Sequence, residues 1–144
     1  PKLFDVCSVL HGHENFKEFL GQTNILVCLL PLTSETEGIL CKETFSHLPP
    51  NSYLVNAGRG RHLIDADLID ALGNGQIRAA AIDVFEKEPL PKSHRFWGND
   101  RILITPHAAS ITNYKTAAKI IATNIKNWKT GGDIEGLVNS SHGY

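Results

Sequence analysis

The chain has 144 residues, 42% of them apolar, and its 14 Lys and Arg against 15 Asp and Glu leave a formal charge of -1. This is the size and composition of one soluble globular domain, and the balanced charge excludes the basic excess that nucleic acid or an anionic membrane surface requires. Cys7, Cys28 and Cys41 form no C-x-x-C pair, which excludes a zinc site or a disulfide framework and suits a reducing cytoplasm.

The chain opens Pro1-Lys2-Leu3 and contains no methionine, as expected of a piece of a longer protein. Residues 14–20 are a short helix candidate. The run Ile25-Leu26-Val27-Cys28-Leu29-Leu30 is apolar throughout and ends at Pro31. It reads as a strand buried on both faces, as strands of parallel sheets are. Even extended to Leu32 it falls far short of the roughly 20 residues a membrane helix needs. Residues 42–48 form a second short helix candidate.

A second strand covers residues 52–56 and leaves through Ala57-Gly58. Asp65 then caps a helix with Leu68, Ile69 and Leu72 on one face, closed by Gly73 just past its end. Residues 77–84 make a third strand and residues 101–105 a fourth, stopped by Pro106. The last helix is the longest. Thr112 caps it, Ala117, Ile121, Ile125 and Trp128 recur at helical spacing, and Gly131-Gly132 ends it. Residues 131–144 have no periodicity and read as an extended arm, leaving 1–130 as the domain that carries the chemistry.

Strand and helix alternate as in an α/β doubly wound parallel sheet, where ligands bind beyond the carboxyl ends of the strands. The residues placed there are a coherent set. Pro31 follows the first strand, Asn56-Ala57-Gly58-Arg59-Gly60 the second, Asp83 and Glu88-Pro89 the third, and Thr105-Pro106-His107 the fourth. Arg59 offers a planar fork for a carboxylate and an adjacent carbonyl. His107 suits protonation of an alkoxide formed by hydride addition, and Glu88 beside it would keep the imidazolium populated. Blander roles compete. His11, His13, His47, His62, His94 and His142 show how little a histidine says alone, and Arg59 between glycines also fits a solvated turn. Gly73-Asn74-Gly75 follows a helix and has Arg78 where a third glycine would stand, so it is a helix stop and not a phosphate loop.

Read in order, Leu29-Leu30-Pro31-Leu32-Thr33 with Thr36, then Asn56-Ala57-Gly58-Arg59-Gly60, then Asp83-Val84-Phe85 with Glu88-Pro89, then Thr105-Pro106-His107 resemble the D-isomer-specific 2-hydroxyacid dehydrogenases. The similarity runs from about Phe16 to Trp128. Trp97 after Pro91, the stretch Ala108-Ala109-Ser110-Ile111-Thr112 and the terminal Gly143-Tyr144 are most similar to the glyoxylate/hydroxypyruvate reductase branch.

The resemblance implies part of a Rossmann-like sheet and an NADPH- or NADH-dependent oxidoreductase acting on a small 2-oxoacid. It makes Arg59, Glu88 and His107 catalytic. It places Leu30, Pro31 and Thr36 on the adenosine and ribose side, Asn56, Ala57 and Gly58 along the cleft, and Asp83, Arg59, His107 and Ala109 around the nicotinamide end. The family's G-x-G-x-x-G turn, the strands around it and the residue that selects NAD or NADP are expected upstream of Pro1. The segment alone is therefore expected to be inactive, and the full-length protein to be a cytoplasmic homodimer without nucleic acid or membrane partners. A non-catalytic dinucleotide-sensing scaffold or corepressor-like module is the second reading.

Overall fold

The structure is a computed structural model and describes residues 7–138; the Gly143-Tyr144 terminus, the opening Pro1-Lys2-Leu3 and the end of the expected arm lie outside them. Four strands, β1 (Ile25–Cys28), β2 (Ser52–Asn56), β3 (Ile77–Ile82) and β4 (Ile102–Ile104), form one sheet in the order β1-β2-β3-β4, every pair parallel. The helices are α1 (Phe16–Gly21), α2 (Lys42–His47), α3 (Asp65–Gly73) and α4 (Tyr114–Thr130). The chain divides into two compact units, the first ending at His107 and the second starting at Ala108.

Register lines up the core of the first unit. Leu26, Leu54, Ala80 and Ile102 pair across all four strands, and all four are buried. Leu20 of α1, Phe45 of α2 and Leu68 and Leu72 of α3 belong to the same cluster. Each such side chain contributes roughly 1.5–3 kcal/mol by leaving water. The opposite row differs: Ile25 and Val27 are 61% and 50% exposed, and Leu103 is exposed as well.

The expectation that β1 is buried on both faces is therefore corrected. Its residues alternate outward and inward because α1, α2 and α3 supply an apolar layer to one face of the sheet.

Two caps also differ from expectation. Ile64, not Asp65, holds the cap position of α3 and makes no side-chain cap bond, while Asp65 is the first helical residue. The Asp65 carboxylate instead accepts from His94 Nε2 at 3.1 Å. Gly73 is the last helical residue, and Gly75, at φ 81°, turns the chain after it. In the second unit Asn113, not Thr112, caps α4. Its Oδ1 accepts from the amides of Lys115 and Thr116 at 3.1 and 3.2 Å, which satisfies two otherwise orphaned donors. Gly131 ends α4 in the left-handed conformation. Beyond it the chain folds back: Asn127 Nδ2 donates to Asp133 O, and Asn124 bonds the Glu135 main chain in both directions.

Candidate active site at the carboxyl edge of the sheet

Main-chain hydrogen bonds continue past the last residue of each strand and hold the following loops side by side. The Ala57 amide donates to Cys28 O, that of Asp83 to Asn56 O, and that of His107 to Asp83 O at 2.8 Å. The segments carrying Pro31, Arg59, Glu88 and His107 thus leave neighbouring strands at one edge, as expected of the sheet.

The loop after β2 is shaped from beneath by Asn56. This residue is fully buried, its Oδ1 accepting from the Gly58 amide and its Nδ2 donating to Arg59 O, both at 3.2 Å. Both ends of the Asn56 amide thus bond within the loop that carries Arg59. At Gly60 a Cβ would lie 1.9 Å from the Phe85 carbonyl carbon and 2.2 Å from the Glu86 nitrogen. Only glycine permits that approach, and it sets the Arg59 loop against the Phe85–Glu88 loop. Arg59 itself is exposed, and its Nη1 donates to Gly58 O at 2.7 Å, leaving the other guanidinium donors without a partner among the described residues.

On the second loop Glu88 joins two segments. Its Oε1 accepts from the Phe85 amide and its Oε2 pairs with His107 Nδ1, both at 2.9 Å. The hydrogen bond with His107, followed by that from Phe85, holds the Glu88 carboxyl below the ordinary carboxylate range, against the opposing effects of burial and the nearby Asp83. His107 has φ 53°, a left-handed conformation uncommon outside glycine. With Nδ1 committed to Glu88, Nε2 makes no hydrogen bond among the described residues. A cavity of about 430 Å³ adjoins the pair, walled by Phe85, Leu90, Trp97, Ile104 and Pro106.

The remaining expected residues divide. Asp83 is buried, and its Oδ1 accepts from the Thr105 hydroxyl. The Thr36 hydroxyl donates to Pro31 O at 2.7 Å and accepts from the Thr33 amide at 2.9 Å, so it folds the loop after β1. Leu29 and Leu30 are exposed beside it. Ala57 lies on the edge, half-buried. Ala109 belongs to the second unit, in the exposed segment before α4.

Two residues that sequence reasoning passed over also shape the site. His62 is fully buried between the loops, and Gly60 is the point of contact. The glycine beside Arg59 was a visible cue to a close approach. Nothing in the sequence set His62 apart from the other histidines.

The edge thus combines an exposed cation, a histidine braced by an ionised carboxylate with its second nitrogen free, main-chain groups at Ala57 and Gly58, and an apolar wall at Leu29 and Leu30. Such a set suits an anionic carbonyl compound beside an extended ligand lying along the edge of the sheet. Among the described residues no helix is long and apolar enough to cross a membrane.

Comparison with known proteins points to one family. Residues 7–109 match the model of the D-isomer specific 2-hydroxyacid dehydrogenase, NAD binding domain. The glyoxylate/hydroxypyruvate reductase A of Serratia proteamaculans is 44% identical over all 144 residues, and the chain spans 46% of that relative's length. A D-isomer specific 2-hydroxyacid dehydrogenase from Xanthobacter autotrophicus, solved with NADPH and MES, superposes at a TM-score of 0.90 with 41% identity, over 94% of this chain and 56% of that one. The NADPH-dependent glyoxylate/hydroxypyruvate reductase of Sinorhizobium meliloti, solved with NADP and sulfate, gives 0.87 and 34%, over 93% of this chain and 44% of that one. By the span of the match and the residues it contains, this chain belongs to the D-isomer specific 2-hydroxyacid dehydrogenase family, in its NAD binding domain.

Proposed function

We propose that this chain supplies the nicotinamide-side half of the active site in an NADPH- or NADH-dependent reductase of small 2-oxoacids of the glyoxylate or hydroxypyruvate kind. The observation that carries the reading is the Glu88–His107 pair at 2.9 Å, which leaves His107 Nε2 free at the edge that also presents Arg59. The relatives' names, and the NADPH and NADP bound in the two solved dehydrogenases, support the choice of substrate and cofactor.

When bound, the nicotinamide supplies a hydride to the substrate's carbonyl carbon. Arg59 pairs with the substrate carboxylate through the donors that Gly58 O does not use, and orients the neighbouring carbonyl. The developing alkoxide takes the proton from His107 Nε2, and the imidazolium becomes neutral imidazole. Glu88 accepts from Nδ1–H throughout, which fixes the ring's direction and stabilises its charged form before transfer. Ala57 and Gly58 line the cleft with main chain, and Asp83, held by Thr105, faces the same edge. Leu30, Pro31 and Thr36 form the wall toward the adenosine side.

The reading includes a longer, cytoplasmic, homodimeric protein, of which this chain is the part bearing the proton donor. Coverage of 46% of the reductase relative supports the greater length. Turnover of glyoxylate and hydroxypyruvate by the full-length protein tests the reading, with Arg59→Lys beside it. Wild-type reduction with a KM raised roughly 10- to 100-fold in the variant is expected, about the worth of one charge-assisted hydrogen bond. A wild-type protein that binds the dinucleotide but reduces neither acid would instead be a sensing module.

A further inference from the structure

His62 takes no part in the chemistry above, yet it is fully buried and both of its ring nitrogens are engaged. Nδ1 lies 3.1 Å from the Arg59 amide nitrogen. An amide only donates, so Nδ1 is the unprotonated acceptor and the ring's proton stands on Nε2. Nε2, 3.2 Å from Pro31 O, then donates to that carbonyl, which also accepts from the Thr36 hydroxyl at 2.7 Å. One ring therefore bridges the loop after β1 and the loop after β2.

The ring's own backbone is fixed independently of those bonds. His62 O accepts from the Leu40 amide at 2.9 Å, and its amide donates to Arg59 O at 3.1 Å. The adjacent Leu40 and Leu63 form a parallel bridge, and Arg61 pairs with Glu37 at 2.6 Å across the same two segments. Gly58 rests directly on the ring, since a Cβ there would lie 2.9 Å from Nδ1. An apolar ring could fill the same space. It would leave the Arg59 amide without its acceptor and Pro31 O with one donor fewer, and half-buried groups that lose a partner shift to find another.

We propose that His62 is a positioning residue, a strut in one fixed tautomer that sets the Arg59 loop against the Pro31 loop. It thereby aligns the 2-oxoacid carboxylate site with the adenosine-side wall. The proposal rests on the reading of Arg59 as the carboxylate binder. The two nitrogens carry separable tasks: Nδ1 places Arg59, with the Cys28 thiol also 3.6 Å away at the end of β1, and Nε2 places Pro31.

Amide side chains separate those tasks, because Asn carries an oxygen near the Nδ1 position and Gln a donor near the Nε2 position. In the full-length protein, His62→Asn is expected to keep the KM for glyoxylate within about twofold of wild type while NADPH binding, measured by titration calorimetry, weakens. His62→Gln is expected to show the reverse, with NADPH affinity kept and kcat/KM lower by roughly 10- to 100-fold, as for a misplacement of about an ångström. His62→Leu should lose both. Amide exchange by NMR gives a readout apart from turnover: Arg59 protection should survive in His62→Asn and fall in His62→Gln. If His62→Leu does not fold, the crossed pattern of the other two variants still decides. Equal losses in His62→Asn and His62→Gln, or none in either, would overturn the proposal and leave a packing role. Arg59→Lys separates the two levels. A raised KM there with a flat His62 series sinks only this inference, whereas an unchanged KM in Arg59→Lys sinks the reading of Arg59 and this inference with it.

Discussion

Two histidine–carboxylate pairs lie in the first unit at almost the same separation, His107–Glu88 at 2.9 Å and His94–Asp65 at 3.1 Å. Their surroundings make them different devices. His94 has spent both nitrogens: Nδ1 accepts from the Phe96 amide, capping the short helical turn Arg95–Gly98, and Nε2 donates to Asp65. Its ring also meets Phe96 edge-on at 4.6 Å. His107 has spent only Nδ1. The carboxyls diverge as well. Glu88 is held below the usual range by the bonds it accepts, chiefly from His107, whereas Asp65 is raised because burial outweighs the help of His94 and Glu86 repels it. A free nitrogen backed by a carboxylate held below its usual range can pass a proton. A ring tied at both ends can only hold structure.

The sharpest way to break this contrast is His107→Asn. Asparagine tolerates the left-handed backbone, so the loop is kept while the proposed proton donor goes. A loss of roughly 10²- to 10⁴-fold in kcat is expected with little change in dinucleotide affinity. Near-wild-type turnover in single-turnover mixing would put His107 in the same class as His94.

Glu88→Gln comes next. The bond to His107 Nδ1 loses its charge assistance, so kcat for oxoacid reduction should fall roughly 10-fold with the KM kept. An unchanged kcat would detach Glu88 from His107. The lowered carboxyl also fixes a sign. Whatever stability its charge contributes is present above its unfolded value and lost as pH falls through the lower folded value, below about pH 4.

His94→Ala removes a cap, a partner for Asp65 and an aromatic contact. It should cost about 1–2 kcal/mol in thermal or denaturant unfolding and leave kcat within about twofold. A large kcat effect with full stability would erase the distinction. Asp65→Asn is the smallest test. Because the Asp65 carboxyl is raised, its ionisation costs stability as pH climbs from the unfolded value to the folded one. The variant should show a small rise in Tm at pH 7 that disappears below about pH 4, where both side chains are neutral.

What the sequence made legible follows from the range of the interactions. The apolar run at Ile25 and the punctuation by Pro31, Gly58 and Pro106 located all four strands within two residues, since strand formation there is driven by local burial. The meeting of Glu88 and His107 was also within reach, because both leave neighbouring strands at the carboxyl edge. Caps were harder. Thr112 and Asn113 are both competent, and it is the Asn113 side chain that reaches two amides. Asp65 looked like a cap but turns to a histidine 29 residues away. The bonds of His62 to Pro31 and Arg59, like the contact of Gly60 with Phe85, join different segments whose approach no local pattern records.

That last contact has a bearing on redesign. Because Gly60 touches the main chain of Phe85 and Glu86, the loop that would grip the substrate and the loop that braces the acid are one mechanical part. In a combinatorial library, changes near Arg59 and changes near Glu88 should therefore interact strongly, and clones altered at Gly60 should drop out under any selection for turnover. Diversity aimed at a bulkier oxoacid is better placed at Leu90 and Trp97, which wall the neighbouring cavity from outside that rigid pair.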